Sequence, residues 1–161
     1  MKLEVTPIGL IHSPHREAKG TPIQPRWADG VEGTVQLFPE FISGLRDLNG
    51  FDRIWLLYWF DRARGAQLEV VPYRDTQTHG VFATRAPCRP NPIGLSCVRL
   101  LAVEGAILRV ADLDVLDGTP LLDLKPYIPD CDVFTVERVG WWSHASCPPT
   151  ADDRFAQGNP A

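Results

Sequence analysis

No apolar stretch of this sequence comes near the roughly 18 residues that a membrane-spanning helix needs. The opening residues, MKLEVTPIGLIHSP, carry a strand's pattern rather than that of a signal peptide. Closely spaced cysteine pairs are missing as well. Cys88, Cys97, Cys131 and Cys147 show no CxxC spacing, which argues against a zinc site. They are too far apart, in a chain of 161 residues, to form a disulfide scaffold. They read as free thiols of a reducing cytoplasm. An excess of basic residues is also absent. The net charge is −4, which excludes a general nucleic-acid coat but leaves room for a local basic patch. GxGxxG, GxxxxGKS/T, HExxH and GxSxG do not occur, so the usual nucleotide-binding α/β folds and the familiar hydrolase signatures drop out.

What the sequence does have is turn-forming residues and short apolar runs. Fifteen prolines and 13 glycines predict many turns and few long helices. A hydrophobic fraction of 44% suits one domain with its own core. Strands are expected at 3–11, 31–37, 51–60, 80–86, 93–103, 106–116 and 119–128, with turn residues between them. One helix is expected over 39–50. Pro39 suits its first position, Phe41, Leu45 and Leu48 share a face, and Asn49-Gly50 supplies the stop. Many strands and little helix predict an all-β fold, a small single-sheet β-barrel with one or two short helices, because closure removes unpaired edges. The barrel domain is expected over 1–145, and 146–161 reads as a surface tail.

The stretch ATRAPCRPNPIGLSCVRL, 83–100, is the most unusual. Pro87, Pro90 and Pro92 lack amide donors and fix φ, so they form a stiff loop. Arg85, Arg89 and Asn91 lie on it. Either the arginines are solvated on a rigid turn, or the loop holds polar groups ready for a ligand at little entropic cost. The run DLDVLDGTPLLDLKPYIPDCD, 112–132, gathers carboxylates with Lys125 and Tyr127. Asp112 reads as a residue of a solvent-facing strand edge and Asp117 as part of a turn. The pattern fits no calcium loop, the histidines form no ligand cluster, and no metal site is expected. Trp55 and Trp59 share one strand face, as core, subunit interface or adenine-stacking wall.

Taken together, IGLIHSP (8–14), TPIQP (21–25), GFDRIWLLYWF (50–60), GVFATRAPCRPNPIGLSCVRL (80–100), LDVLDGTPLLDLKPYIPDCD (113–132) and VGWW (139–142) resemble the TsaA-like, YaeB-type proteins, the TrmO-type tRNA methyltransferases. The resemblance implies a homodimeric β-barrel that binds S-adenosylmethionine and methylates N6 of threonylcarbamoyl-adenosine at position 37, in the tRNA anticodon loop. Carried over by position, the cofactor pocket comprises Gln24, Pro25 and Arg26, then Asp61 and Arg62, Arg85, Leu95, and Asp114, Val115, Leu116 and Asp117. Asp117 and Asp61 are the candidate bases. Arg89, Asn91, Lys125 and Tyr127 are assigned to the substrate. Arg85, on the expected strand 80–86, is given to the cofactor, and Arg89, in mid-loop, to the larger substrate. The chain departs from the family at PIQP, where PRQP is common, and at Asp61-Arg62, where His-Gln is common. Two other readings keep part of this: methylation of a small molecule, and a non-catalytic barrel that binds an adenosine ligand.

Overall fold

The computed structural model describes residues 3–157. Its strands are β1 (Gly9–His12), β2 (Gly33–Leu37), β3 (Arg53–Trp59), β4 (Glu69–Val70), β5 (His79–Gly80), β6 (Ile93–Glu104), β7 (Ile107–Ala111) and β8 (Thr119–Pro126). Six of them close into an antiparallel barrel in the order β1-β2-β7-β6-β3-β8, and β4 and β5 form a separate two-stranded ribbon. The strand period of two explains the closure. On β3, Ile54, Leu56 and Tyr58 point inward, while Trp55, Leu57 and Trp59 remain half-exposed outside. Ile11, Val35, Val98, Leu108, Val110 and Leu121 complete the interior. Each such side chain contributes about 1.5–3 kcal/mol on burial. The long β6 pairs with β3 over its first half and β7 over its second. An irregularity between Leu100 and Ala102 lets it turn the barrel's corner.

The all-β barrel agrees with the sequence reading, but four elements differ from it. The strand expected over 3–11 forms only as Gly9–His12. Residues 80–86 are not a strand. Only His79–Gly80 pairs, and Val81–Ala83 is a 3-10 turn on which the Thr84 hydroxyl closes, donating to the Val81 carbonyl at 2.9 Å. The expected helix splits into 3-10 segments, Pro39–Leu45 and Leu48–Gly50, because Asp47 between them takes a left-handed φ of 66°. The strand expected over 106–116 ends at Ala111, where Asp112 has φ 64°. The only α-helix among the described residues is the single turn α1 (Pro129–Asp132).

The stretch read as a tail is fastened to the body. Its lone large apolar residue, Phe155, is 4% exposed in a second small core with Val70, Val81, Ala86 and Cys88. Bridges join Pro22 to Thr150 and Ala63 to Ala156. The last expected positions, 158–161, and the first two lie outside the described residues.

Candidate functional site

The turn after β7 carries the carboxylates, and two loops enclose it. Asp112 begins it. Its left-handed backbone is held because its carboxylate takes the Gly30 amide at 3.0 Å, Arg53 at 3.0 Å and Arg99 at 2.9 Å. Burial works against the charge, but Arg99, the Gly30 amide and Arg53 outweigh it and keep the carboxyl below the usual range. Asp112 is therefore a buried structural anion and not the solvent-facing edge residue expected.

Asp114 lies two residues on and is half-buried at the barrel's mouth. Ser96 Oγ donates to it at 2.6 Å, and the Tyr58 hydroxyl lies 3.0 Å from Ser96 Oγ. Burial pushes the Asp114 carboxyl up to about 7, against the lowering pull of the Ser96 hydroxyl and of Arg85. Burial, and then the Asp114 charge, also raise the Tyr58 phenol, so it remains protonated. Gly94 lies against the Tyr58 ring, and any side chain there would collide with it. Arg85, exposed, reaches back to donate to Gln24 Oε1.

Asp117 faces a different set. The Ser13 amide donates to it at 3.1 Å, Arg16 pairs with it, and His12 Nδ1 lies 3.4 Å away. Burial again opposes the charge, but the Ser13 amide, Arg16 and His12 hold this carboxyl below the usual range. Arg62 Nη2 donates to the Asp117 carbonyl at 2.7 Å and lies 3.2 Å from Thr119 Oγ1. Its Nε is buried without a hydrogen bond, 3.5 Å from Asp61 Oδ1. Val115 and Leu116 are stitched into the same turn, their carbonyls accepting from Ser13 Oγ at 2.6 Å and Thr119 Oγ1 at 2.7 Å.

The sequence-assigned residues thus fall into groups. Gln24, Arg85 and Asp114 share one side of the turn, and Asp61, Arg62 and Asp117 the other. Pro25 and Arg26 line an adjoining open cleft of about 370 Å3 with Trp27, Asp29, Arg53 and Asp112. Leu95 stands apart, on the outer face of β6 opposite Leu57. Asn91 is exposed two residues before β6. Lys125 and Tyr127 lie toward the other end of β8. From Thr119 to Lys125 is roughly 20 Å at a strand's rise, and Tyr127 packs on Trp55 at 5.9 Å. Arg89 turns inward on its own loop. Its Nη1 donates to the carbonyls of Val81 at 3.0 Å, Thr84 at 2.9 Å and Ala86 at 3.4 Å. Ser96, Tyr58 and Ser13 were not assigned from the sequence, and Arg16, read there as part of a basic rim for the tRNA, is instead paired with Asp117. Ser96 had a signal, being a hydroxyl at an inward position between Gly94 and Val98.

The family model of the tRNA-methyltransferase O N-terminal domain matches residues 10–133, which include this whole turn and both loops. The chain belongs to that family. A probable S-adenosyl-L-methionine-binding protein of Pyrococcus abyssi is 57% identical over 135 residues, covering 84% of this chain and 73% of the relative. The tRNA (adenine(37)-N6)-methyltransferase of Escherichia coli K12 is 38% identical over 132 residues, 76% of this chain and 56% of that protein. The crystal structure of TrmO from Pseudomonas aeruginosa superposes with a TM-score of 0.73 at 40% identity, over 87% of this chain and 62% of that one. The chain therefore spans little more than half of the two longer family members.

The site's donors suit the cofactor named for the relatives. S-adenosylmethionine presents a carboxylate, an amine, a sulfonium and a ribose diol. Arg62 offers a buried Nε with no hydrogen-bond partner, Arg85 a guanidinium with no carboxylate on it among the described residues, and Asp114 a half-buried carboxylate. Charge-assisted pairs of this kind are the strong ones. Among the described residues, no group of three His, Cys, Asp or Glu is placed to hold a metal ion, and no helix is long and apolar enough to cross a membrane.

Proposed function

We propose that the chain is an S-adenosylmethionine-dependent tRNA methyltransferase that acts on N6 of threonylcarbamoyl-adenosine at position 37. The observation that carries this reading is the turn Asp112–Asp117 within the matched segment, which sets a half-buried carboxylate on the Ser96 hydroxyl and, three residues on, one clamped by Ser13 and Arg16. The cofactor, when bound, supplies an activated methyl group. The chain's own task is then placement of the acceptor in line and removal of the N6 proton.

For the proton, Asp114 is better suited than either candidate drawn from the sequence. Asp117 is ionised but weakly basic, because the Ser13 amide, Arg16 and His12 stabilise its charge. Asp61 is exposed beside Arg62. A base whose affinity for protons lies near neutral transfers them best at physiological pH. Ser96 holds the Asp114 carboxylate in one orientation, and Tyr58 holds Ser96. Arg26, exposed and without an ion pair among the described residues, is the cation left for the threonyl carboxylate or the backbone phosphates of the anticodon loop.

The active form on this reading is a homodimer in the cytoplasm. Trp55, Leu57 and Trp59 of β3 lie opposite Cys97, Leu95 and Ile93 of β6 on the barrel's outer surface. Leu95 and Ile93 are 42% and 41% exposed. A contiguous apolar sheet face of this kind suits a self-complementary contact. It also gives Leu95, isolated on one protomer, a place in a pocket completed by the second. The deciding experiment incubates the protein with S-adenosylmethionine and threonylcarbamoylated tRNA and analyses the nucleosides by mass spectrometry. A methylated product at position 37 is expected. Methylation of a small molecule with no change in the tRNA would replace this reading with its rival.

A further inference from the structure

The tryptophans of the C-terminal segment have no part in the site just described, although they pack against its loops. Trp141 Nε1 donates to the Ala83 carbonyl at 2.8 Å, and its ring stacks on His79 at 4.8 Å and 18°. His79 is fixed in turn by Asp75 at 2.8 Å. Trp142 meets Trp141 edge-on at 5.4 Å and Trp27 at 6.1 Å. The Arg74 guanidinium lies 5.4 Å from the Trp27 ring and 5.7 Å from the Trp142 ring. It donates to the Ala145 carbonyl at 3.1 Å, and its Nε is buried with no partner. One cation–π contact from Arg74, the edge-on Trp141 and the tilted Trp27 hold Trp142 in place, yet the residue stays 41% exposed. An aromatic residue kept rigid and open has lost rotamer freedom without gaining full burial.

Its position is informative. Trp27 shares its 3-10 turn with Arg26 and lies three residues from Gln24. Ala83, which anchors Trp141, lies two residues from Arg85. Arg26 is exposed and, among the described residues, makes no hydrogen bond or ion pair. An open indole face, a cation behind it and an unengaged arginine beside it are the parts that bind unpaired nucleotides.

We propose that Trp142, backed by Arg74 and Trp27, is a stacking platform for an unpaired base of the anticodon loop, with Arg26 on the adjoining phosphate. The proposal rests on the tRNA reading above and adds the surface by which this chain grips its substrate. It favours single-stranded RNA over duplex, because a paired helix offers no free base face.

The test measures binding of a labelled anticodon stem-loop RNA, and of a fully paired hairpin of equal length, by fluorescence anisotropy. Calorimetry with S-adenosylmethionine runs alongside. The intact protein should prefer the stem-loop, and its tryptophan emission should be quenched on binding. Trp142→Ala should lose roughly five- to a hundredfold in stem-loop affinity, and Trp142→Phe should keep most of it. Both should bind S-adenosylmethionine as the parent does. Arg26→Gln should weaken the stem-loop and flatten its salt dependence by about one counterion. The proposal fails if Trp142→Ala binds the stem-loop normally, or if the hairpin binds equally well. It fails too if S-adenosylmethionine affinity falls with the RNA affinity, for then the tryptophans only brace the loops. A parent protein that binds S-adenosylmethionine but no stem-loop overturns the tRNA reading and the platform together. A parent that binds neither points to failure of the site itself.

Discussion

Asp114 and Asp117 show how three residues of chain separate two identical side chains. Asp114 loses water, and the Ser96 hydroxyl, its own backbone amide and the more distant Arg85 do not make up for it, so its carboxyl rises to about 7. Asp117 gains an amide and a paired arginine, so its carboxyl falls. The consequences differ in sign. A raised acid is disfavoured as the anion in the folded state, so its penalty on stability grows as pH climbs from the ordinary Asp value toward 7. Asp114→Asn should therefore melt at a higher temperature than the parent at pH 8 and at a similar one at pH 4, as read by differential scanning calorimetry. The same variant should lose about 10²–10⁴-fold in methyl transfer. The parent's rate, at saturating cofactor, should climb with pH and level off above about 7. A flat profile in the parent would remove Asp114 from the reaction. The sequence showed that this turn was rich in acid but could not rank its members. The ranking depends on Ser96, Ser13 and Arg16, which reach the turn from 18, 104 and 101 residues away.

At the scale of elements, the loop between β5 and β6 is the informative one. Its prolines made a strand-free connection legible, and residues 84–92 form no strand. The alternation of Val81, Ala83 and Arg85 suggested a strand, and that failed because β5 has only β4 to pair with. Deprived of a ladder, the backbone carbonyls of Val81, Thr84 and Ala86 turn to Arg89 instead. Charge-assisted bonds of this kind contribute about 1.5–3 kcal/mol, and Arg89 is half-buried, so the lower end applies. Arg89→Ala should loosen the whole loop, lowering S-adenosylmethionine affinity and tRNA turnover together and opening the 81–92 backbone to limited proteolysis. Intact cofactor affinity with reduced turnover would return Arg89 to the substrate role assigned from the sequence. Arg85→Ala, by contrast, should weaken cofactor binding without a new proteolytic cut.

At the scale of the molecule, the barrel was legible because short apolar runs are set between turn residues, and the tail was not, because one phenylalanine in a polar stretch carries no period. The outer face of β3 and β6 bears on assembly. Leu57→Arg should leave the barrel folded, since that side chain points outward, and should yield a monomer by light scattering where the proposed parent form is a dimer. Dimeric Leu57→Arg would place the contact elsewhere. The fastening of the C-terminal segment bears on the order of events during synthesis. All six barrel strands have left the ribosome once residue 126 has emerged. The loops that carry Gln24 and Arg62 are still missing their partners, because Ile23 waits for Pro149 and Arg62 for Gln157. A nascent chain can thus be a finished barrel and an unfinished enzyme, and the cofactor should be captured only after those last residues are made.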